Sequence, residues 1–325
     1  MHAHRPLAAL FSAVALCAAL PAHAQQTQIT RPIRLIVPYV PGGGTDILSR
    51  LLGPAIGEEF GQSVVIDNRP GGGSTIGTLA VAKAAPDGLT IGMIDAAFVT
   101  NPSLVAKLPY DTQKDFVPMV LVATSPLVMV VNPSLPVKTV KEFVAYAKAR
   151  PGGQTTFGSA GQGTGVHLAA EQFRAQAGLD MTHIPYKGTG QAITELIGGQ
   201  TTMLFVTQSG AKPQAAAGRL RPIAITSPKR TAVMPEVPTF IESGFPGVDA
   251  VTINGLVAPA GTPPDYVMRV NAAVNKALRT KELQDKMVEQ GFSLAGGTPD
   301  EFTAWIRTEI PKWNKVVKDA GLKME

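Results

Sequence analysis

The chain has 325 residues, 45% of them hydrophobic, with one cysteine and a formal net charge of +5. That length suits roughly two domains of ~150 residues with a large buried core. Lys and Arg are scattered, with no basic run longer than Lys229-Arg230, which argues against a nucleic-acid partner.

In chain order, the first segment reads as a cleaved secretory signal peptide, residues 1–24. Arg5 supplies the positive charge, residues 7–20 form a short apolar stretch, and Ala22-His23-Ala24 has the A-x-A pattern of a cleavage site. Leu16 stands where a lipid-attachment site wants a small residue. Cys17 falls inside the leader, so the mature chain is left without disulfides, thiolate metal sites or a cysteine nucleophile. Export without disulfides fits a bacterial periplasm. No later stretch reaches the ~18 consecutive apolar residues of a membrane span.

Strand-like runs then alternate with helical patterns, the grammar of an α/β protein with mainly parallel sheets. Ile33-Arg34-Leu35-Ile36-Val37 reads as a first strand. After Gly42-Gly43-Gly44 comes a helix whose apolar stripe is Ile47, Leu48, Leu51, Leu52, Ala55 and Ile56. Pro54 should kink it, and Gly61 can cap its end. Ser63-Val64-Val65-Ile66 is a second strand, "NRPGGGST" a second glycine loop, and residues 89–94 a third strand. The apolar run over residues 114–127 holds Pro118 and Pro126, so it reads as a bent crossing strand at a change of domain.

The second unit repeats the pattern. Residues 140–148 form a helix, 155–157 a strand, "GSAGQGTG" a third glycine loop, and 166–177 a helix. "HIPYKGTG" runs from strand to helix again, and "TMLFVT" and "RPIAITS" are later strands, the second expected to carry the chain back. Thr262-Pro263-Pro264-Asp265 and Thr298-Pro299-Asp300-Glu301 mark two helix starts with Thr caps, the second a full capping box. The expected division is 25–123 with 226–325 as lobe 1 and 124–225 as lobe 2. Two such lobes joined by crossing strands make a hinged clamp with its ligand in the cleft.

Common catalytic motifs are missing. Neither glycine run is followed by the Lys-Ser or Lys-Thr of a P-loop. The dinucleotide pattern breaks at Ile76 and at Val166, and no serine sits in a G-x-S-x-G elbow. Beyond the leader only His167 and His183 remain, and they form no H-x-x-x-H pair, so a histidine metal site lacks ligands. The expectation is no catalytic residue, no metal and no cofactor. Binding has positive support: glycine-rich turns into helices aim backbone N–H groups and the positive helix end at an anion such as a carboxylate. Three loops qualify, at residues 42–46, 71–75 and 158–164.

"RPIRLIVPYVPGGGTDILSRLL", "GQSVVIDNRPGGGSTIGTLAVAKAAPDGLTI", "GSAGQGTGVHLAAEQF" and "IPYKGTGQAITELIGGQ", in this order and spacing, resemble the Bug family of periplasmic receptors for tripartite tricarboxylate transporters. The resemblance runs from about Arg31 to the C-terminus. It implies a type II periplasmic binding protein, a Venus flytrap without catalytic activity. Such a receptor closes on a small organic carboxylate and delivers it to membrane subunits. The expected ligand is a di-, tri- or aromatic carboxylate. Nothing in the sequence suggests an obligate oligomer, so a monomer is expected. Carried onto this chain, it assigns ligand-binding roles to Tyr39, Gly42, Gly43, Gly44, Thr45 and Asp46, and to Gly73, Ser74 and Thr75. From the second lobe it adds Ser159, Gly163, Thr164, His167 and Tyr186.

Several of these residues have a second reading. Asp46 can cap its helix instead of touching ligand, Arg69 can brace its loop, and His167 can be structural. Lys187 can be a solvated charge, with Tyr39 and Tyr186 as cleft walls. The chain departs from the family pattern where Phe205-Val206-Thr207 replaces "F-D" and where Asp95-Ala96-Ala97-Phe98 replaces small polar residues. Phe98 and Thr207 are therefore expected at the ligand's far end, and Phe98 with Val206 hints at a less amine-like, more apolar ligand. Two rivals share the same cleft: a sensor presenting its closed form to a membrane kinase, and a secreted hydrolase or isomerase using Asp46 or Asp95 as base.

Overall fold

Strand and helix alternate along the computed structural model, which describes residues 29–150 and 152–319. The expected leader, residues 1–24, lies outside the described residues. The first half holds β1 (Ile33–Val37), α1 (Gly44–Phe60), β2 (Val64–Asn68), α2 (Thr75–Ala82), β3 (Thr90–Ile94) and α3 (Ala97–Leu104). The long β4 (Phe116–Val131) leads into α4 (Val140–Lys148), β5 (Thr156–Ser159), α5 (Gly165–Ala177), β6 (Thr182–Pro185) and α6 (Thr189–Ile197). Then come β7 (Met203–Thr207), α7 (Gln208–Ala216), β8 (Arg221–Ile225) and β9 (Val251–Pro259). The chain closes with α8 (Pro264–Leu278), α9 (Lys281–Glu289), β10 (Ser293–Gly296) and α10 (Pro299–Asp319).

The strands run in the order β2-β1-β3-β9-β4-β7-β5-β6, with β8 and β10 also on β4. The outer strands of each half pair parallel: β1 with β2 and β3, β5 with β6 and β7. The strands that cross between halves pair antiparallel, so the sheet as a whole is mixed. β4 carries both halves. Residues 116–126 pair with β9, and residues 127–131 pair with β7. Pro118 cannot donate to a ladder, and the β4–β9 register slips between Pro118 and Val120, the bend that an apolar run with prolines requires.

The return crossing is not made by the strand at residues 221–225. That strand, β8, pairs with the far half of β4, and the chain after it stays with the second half. Phe240, Val248 and Ala250 pack with Phe143, Phe157 and Phe173 there. β9 makes the crossing instead, pairing with β3 and with β4. Its burial on both faces removes the period-2 pattern by which a strand is read from sequence. The first half has its own core, where Leu48, Leu52 and Ile56 of α1 meet Leu35 and Val37 of β1 and Val270 and Val274 of α8.

Candidate functional site

In the order β2-β1-β3, the connections leaving β1 and β3 turn to opposite faces of the sheet. A crevice therefore opens beyond the carboxyl ends of these two strands. The second half repeats this as β6-β5-β7. The two crevices face each other and enclose one cavity. After β1 the wall is Tyr39, Gly43, Gly44 and Thr45, and after β3 it is Asp95. After β5 it is Ala160, Thr164, Gly165 and Val166, and at the end of β7 it is Thr207. Thr189 at the start of α6 and Thr252 of β9 close the ring.

The halves are shut on one another. The Thr100 hydroxyl donates to the Gly163 carbonyl at 2.7 Å, and the Val40 N–H reaches the Lys187 carbonyl at 3.4 Å. Gly44 comes so close to the second half that a Cβ there would stand 2.9 Å from Thr207 Cγ2. At Gly73, which has φ +55°, a Cβ would run into the Gln162 carbonyl. The enclosed volume is about 20 Å³, room for roughly one water, so the jaws must part to admit a ligand.

Among the described residues no Lys or Arg lines this cavity; what it offers an anion is helix ends. α1, α5, α6 and α7 all begin at it, and the N–H groups of a first turn have no partner inside their helix. At α5 the Thr164 side chain accepts from the His167 N–H. At α1 the capping position is Gly43, which has no side chain to take a donor, so those N–H groups are left for the cleft. Asp95 lines the same cavity. Its Oδ2 accepts from the Tyr39 hydroxyl at 2.7 Å and its Oδ1 from the Ala97 N–H at 3.1 Å. Burial pushes its carboxyl up to about 6 and the Tyr39 phenol well above its ordinary value.

Of the residues expected from sequence, the cavity brings together Tyr39, Gly43, Gly44, Thr45, Thr164 and Thr207. The others stand behind this wall. The Gly42 N–H donates to Asp46 Oδ2, and Asp46 is gripped by Arg50 and Asn68. Gly73 and Gly163 sit at the contact between halves. Ser74 is buried at φ 77°, and the Thr75 hydroxyl donates to the Gly72 carbonyl within its own turn. The Ser159 hydroxyl is 2.7 Å from His183 Nε2.

His167 Nδ1 accepts from the Gly163 N–H, and its ring centroid lies 4.2 Å from that of His183. Burial drives the two rings down to about 3 and about 4 respectively, so both are neutral supports of the loop. Tyr186 packs beside the apolar core at Leu196 and Leu204. Arg69 binds Asp67 at 2.9 Å, a brace for its loop. Phe98 does not face the ligand cleft. It is 1% exposed in an apolar core, edge-on to Phe116 at 5.1 Å, because the first turn of α3 points it inward. Val206 is likewise in the core of the second half. Sequence reasoning took Ala160 only as part of its glycine loop and missed the walls at Gly165, Val166, Thr189 and Thr252. Only the strand order brings these together, and apolar or hydroxyl residues carry no motif.

Two α/β halves that shut on a cleft walled by helix N-termini define a hinged binding protein. Residues 48–322 match the tripartite tricarboxylate transporter family receptor, and the chain belongs to that family. It is 36% identical over 301 residues to Protein BugT of Bordetella pertussis, covering 92% of each chain. Its fold matches the periplasmic binding protein BugD at a TM-score of 0.87 and 31% identity, over 91% of this chain and 100% of that one. An R. palustris protein solved with adipate matches at 0.87 and 34% identity, over 90% and 98%. The matched family is one of receptors, and the chain is a receptor and not an enzyme.

Proposed function

We propose that this chain is a periplasmic receptor that closes on a small organic carboxylate and hands it to the membrane subunits of a tripartite tricarboxylate-type transporter. The observation that carries the reading is the convergence of four helix N-termini, from both halves, on a cavity without a cationic side chain. Backbone donors fixed in position bind an anion without the reorganisation a flexible lysine would need. The adipate complex of the R. palustris relative supports a carboxylate as ligand.

The working division is lobe 1 from residues 25–123 and the chain beyond the β9 crossing, and lobe 2 from residue 124 onward to that crossing. The packing of Phe240, Val248 and Ala250 with the second core supports it. The receptor acts as a monomer without cofactor. No described helix is long and apolar enough to cross a membrane.

The test is a thermal-shift screen of the purified mature protein over mono-, di-, tri- and aromatic carboxylates. A ligand that binds only the folded, closed form raises the melting temperature by mass action, by about 2.7 kcal/mol of stability at a hundredfold excess over Kd. Shifts with carboxylates and none with sugars or metal ions support the reading. Shifts with a sugar or a metal alone overturn it.

A further inference from the structure

Among the described residues Asp95 is the only charged side chain in the cavity wall. It is 5% exposed; Oδ2 accepts from the Tyr39 hydroxyl and Oδ1 from the Ala97 N–H, and the residue's own backbone N–H also bonds the carboxylate. Those three bonds still leave about one of the roughly four acceptor positions of a carboxylate open. No Lys or Arg among the described residues is paired with it, and none lines the cavity it faces. A buried carboxylate without a counter-charge is costly, and an acid has the wrong sign for a cleft otherwise built to attract anions. If its task were only to tie Tyr39 to the start of α3, an asparagine would serve without a buried charge.

We propose that Asp95 sets specificity, by accepting a hydrogen bond from a donor that the ligand carries beside its carboxylate: a protonated amine, or more weakly a hydroxyl. The inference rests on the carboxylate-receptor reading and names which carboxylates the site takes. The ligand carboxylate goes to the N-termini of α1 and α5, and the donor goes to the free acceptor position of Asp95. An amine serves best because it also neutralises the buried charge. An unsubstituted acid leaves Asp95 unpaired, and a second carboxylate placed there meets like charge. Tyr39 is a positioning residue, its hydroxyl fixing Oδ2 in place. The apolar-ligand expectation loses its basis at the same time, since Phe98 and Val206 are both in cores.

The test is calorimetric titration of the wild type with matched acids of one skeleton: succinate, malate and aspartate; glutarate, 2-hydroxyglutarate and glutamate; propionate, lactate and alanine. The set whose skeleton shifts the melting temperature most is the informative one. In it the aminated acid binds about 10- to 100-fold tighter than the plain acid, with the hydroxylated acid between them. Asp95→Asn shrinks the ratio of the two affinities by about tenfold or more, and Tyr39→Phe shrinks it by less. Equal or tighter binding of the plain acid by wild type overturns the proposal, and this ranking needs no variant to fold. A ratio unchanged in Asp95→Asn, with all three acids weakened alike, also overturns it by making Asp95 a structural brace. If no carboxylate of the wider mono-, di-, tri- and aromatic screen binds either, it is the receptor reading that has failed.

Discussion

At Gly44 the backbone of one half passes against the side chain of the other. A Cβ would lie 2.9 Å from Thr207 Cγ2 and 3.0 Å from its Oγ1, on the far side of the cleft. Gly44→Val should therefore prop the jaws apart. The expected outcome is a loss of ligand affinity of about 100-fold or more by calorimetry, with the melting temperature of the ligand-free protein nearly unchanged. At Gly43 a Cβ would make an ordinary 3.6 Å contact with Thr189, so the same substitution there should cost clearly less. Sequence could single out the triple glycine but not rank its members, because the ranking depends on what stands across the cleft. Asp46 shows the same limit. Although burial alone would push its carboxyl up, hydrogen bonds from Arg50, Asn68 and the Gly42 N–H hold it below the usual carboxylate range. All those partners belong to its own half, so Asp46 shapes the glycine turn from behind.

At the scale of elements, caps and breaks were legible because their signals are local. Gly61 ends α1 in the left-handed conformation. Before α10 the Thr298 hydroxyl accepts from the Glu301 N–H at 3.1 Å, while Glu301 Oε2 accepts from the Thr298 N–H at 2.7 Å. Thr298→Ala should cost about 1 kcal/mol, read as a fall of about 2 °C in melting temperature, with ligand affinity unchanged since α10 is remote from the cavity. The similar-looking Thr262 is not a cap. Its hydroxyl donates to the Pro259 carbonyl, and Pro263 takes the capping position. The bent crossing of β4 was readable from two prolines in an apolar run. The crossing of β9 was not, because a strand buried on both faces reads as an undifferentiated apolar stretch.

At the scale of the whole molecule, the cleft and the core beside it respond to pH in opposite directions. His167 and His183 stack with Phe157 in the second half and are held neutral, at about 3 and about 4, while the unfolded chain protonates them near 6.5. Their contribution is intact above pH 6.5 and drains away as pH falls toward 4, because the unfolded state takes up the protons first. Asp95 works the other way. Raised to about 6 from 3.8, it takes up its proton first in the folded state and so favours folding as pH falls from 6 to 4. Two histidines outweigh one acid, so the melting temperature should fall by on the order of 5 °C from pH 7 to pH 4.5. His183→Asn should flatten that slope, and calorimetric melts over the range would check both.

The sequence by itself determined the α/β alternation, the glycine-rich strand-to-helix turns, the capped C-terminal helix and the motif order that resembles a receptor family. These rest on periodicity and capping within a few residues, which a single chain records directly. Only the tertiary structure decided that the ends of β1, β3, β5 and β7 meet in one cavity. It also set Asp95 against Tyr39, sent Phe98 and Val206 to the core, and gave the return crossing to β9. Those outcomes follow from strand order and from pairing between distant segments, such as β4 with β9. No local pattern specifies them, since the same strand–helix unit can join its sheet at more than one place.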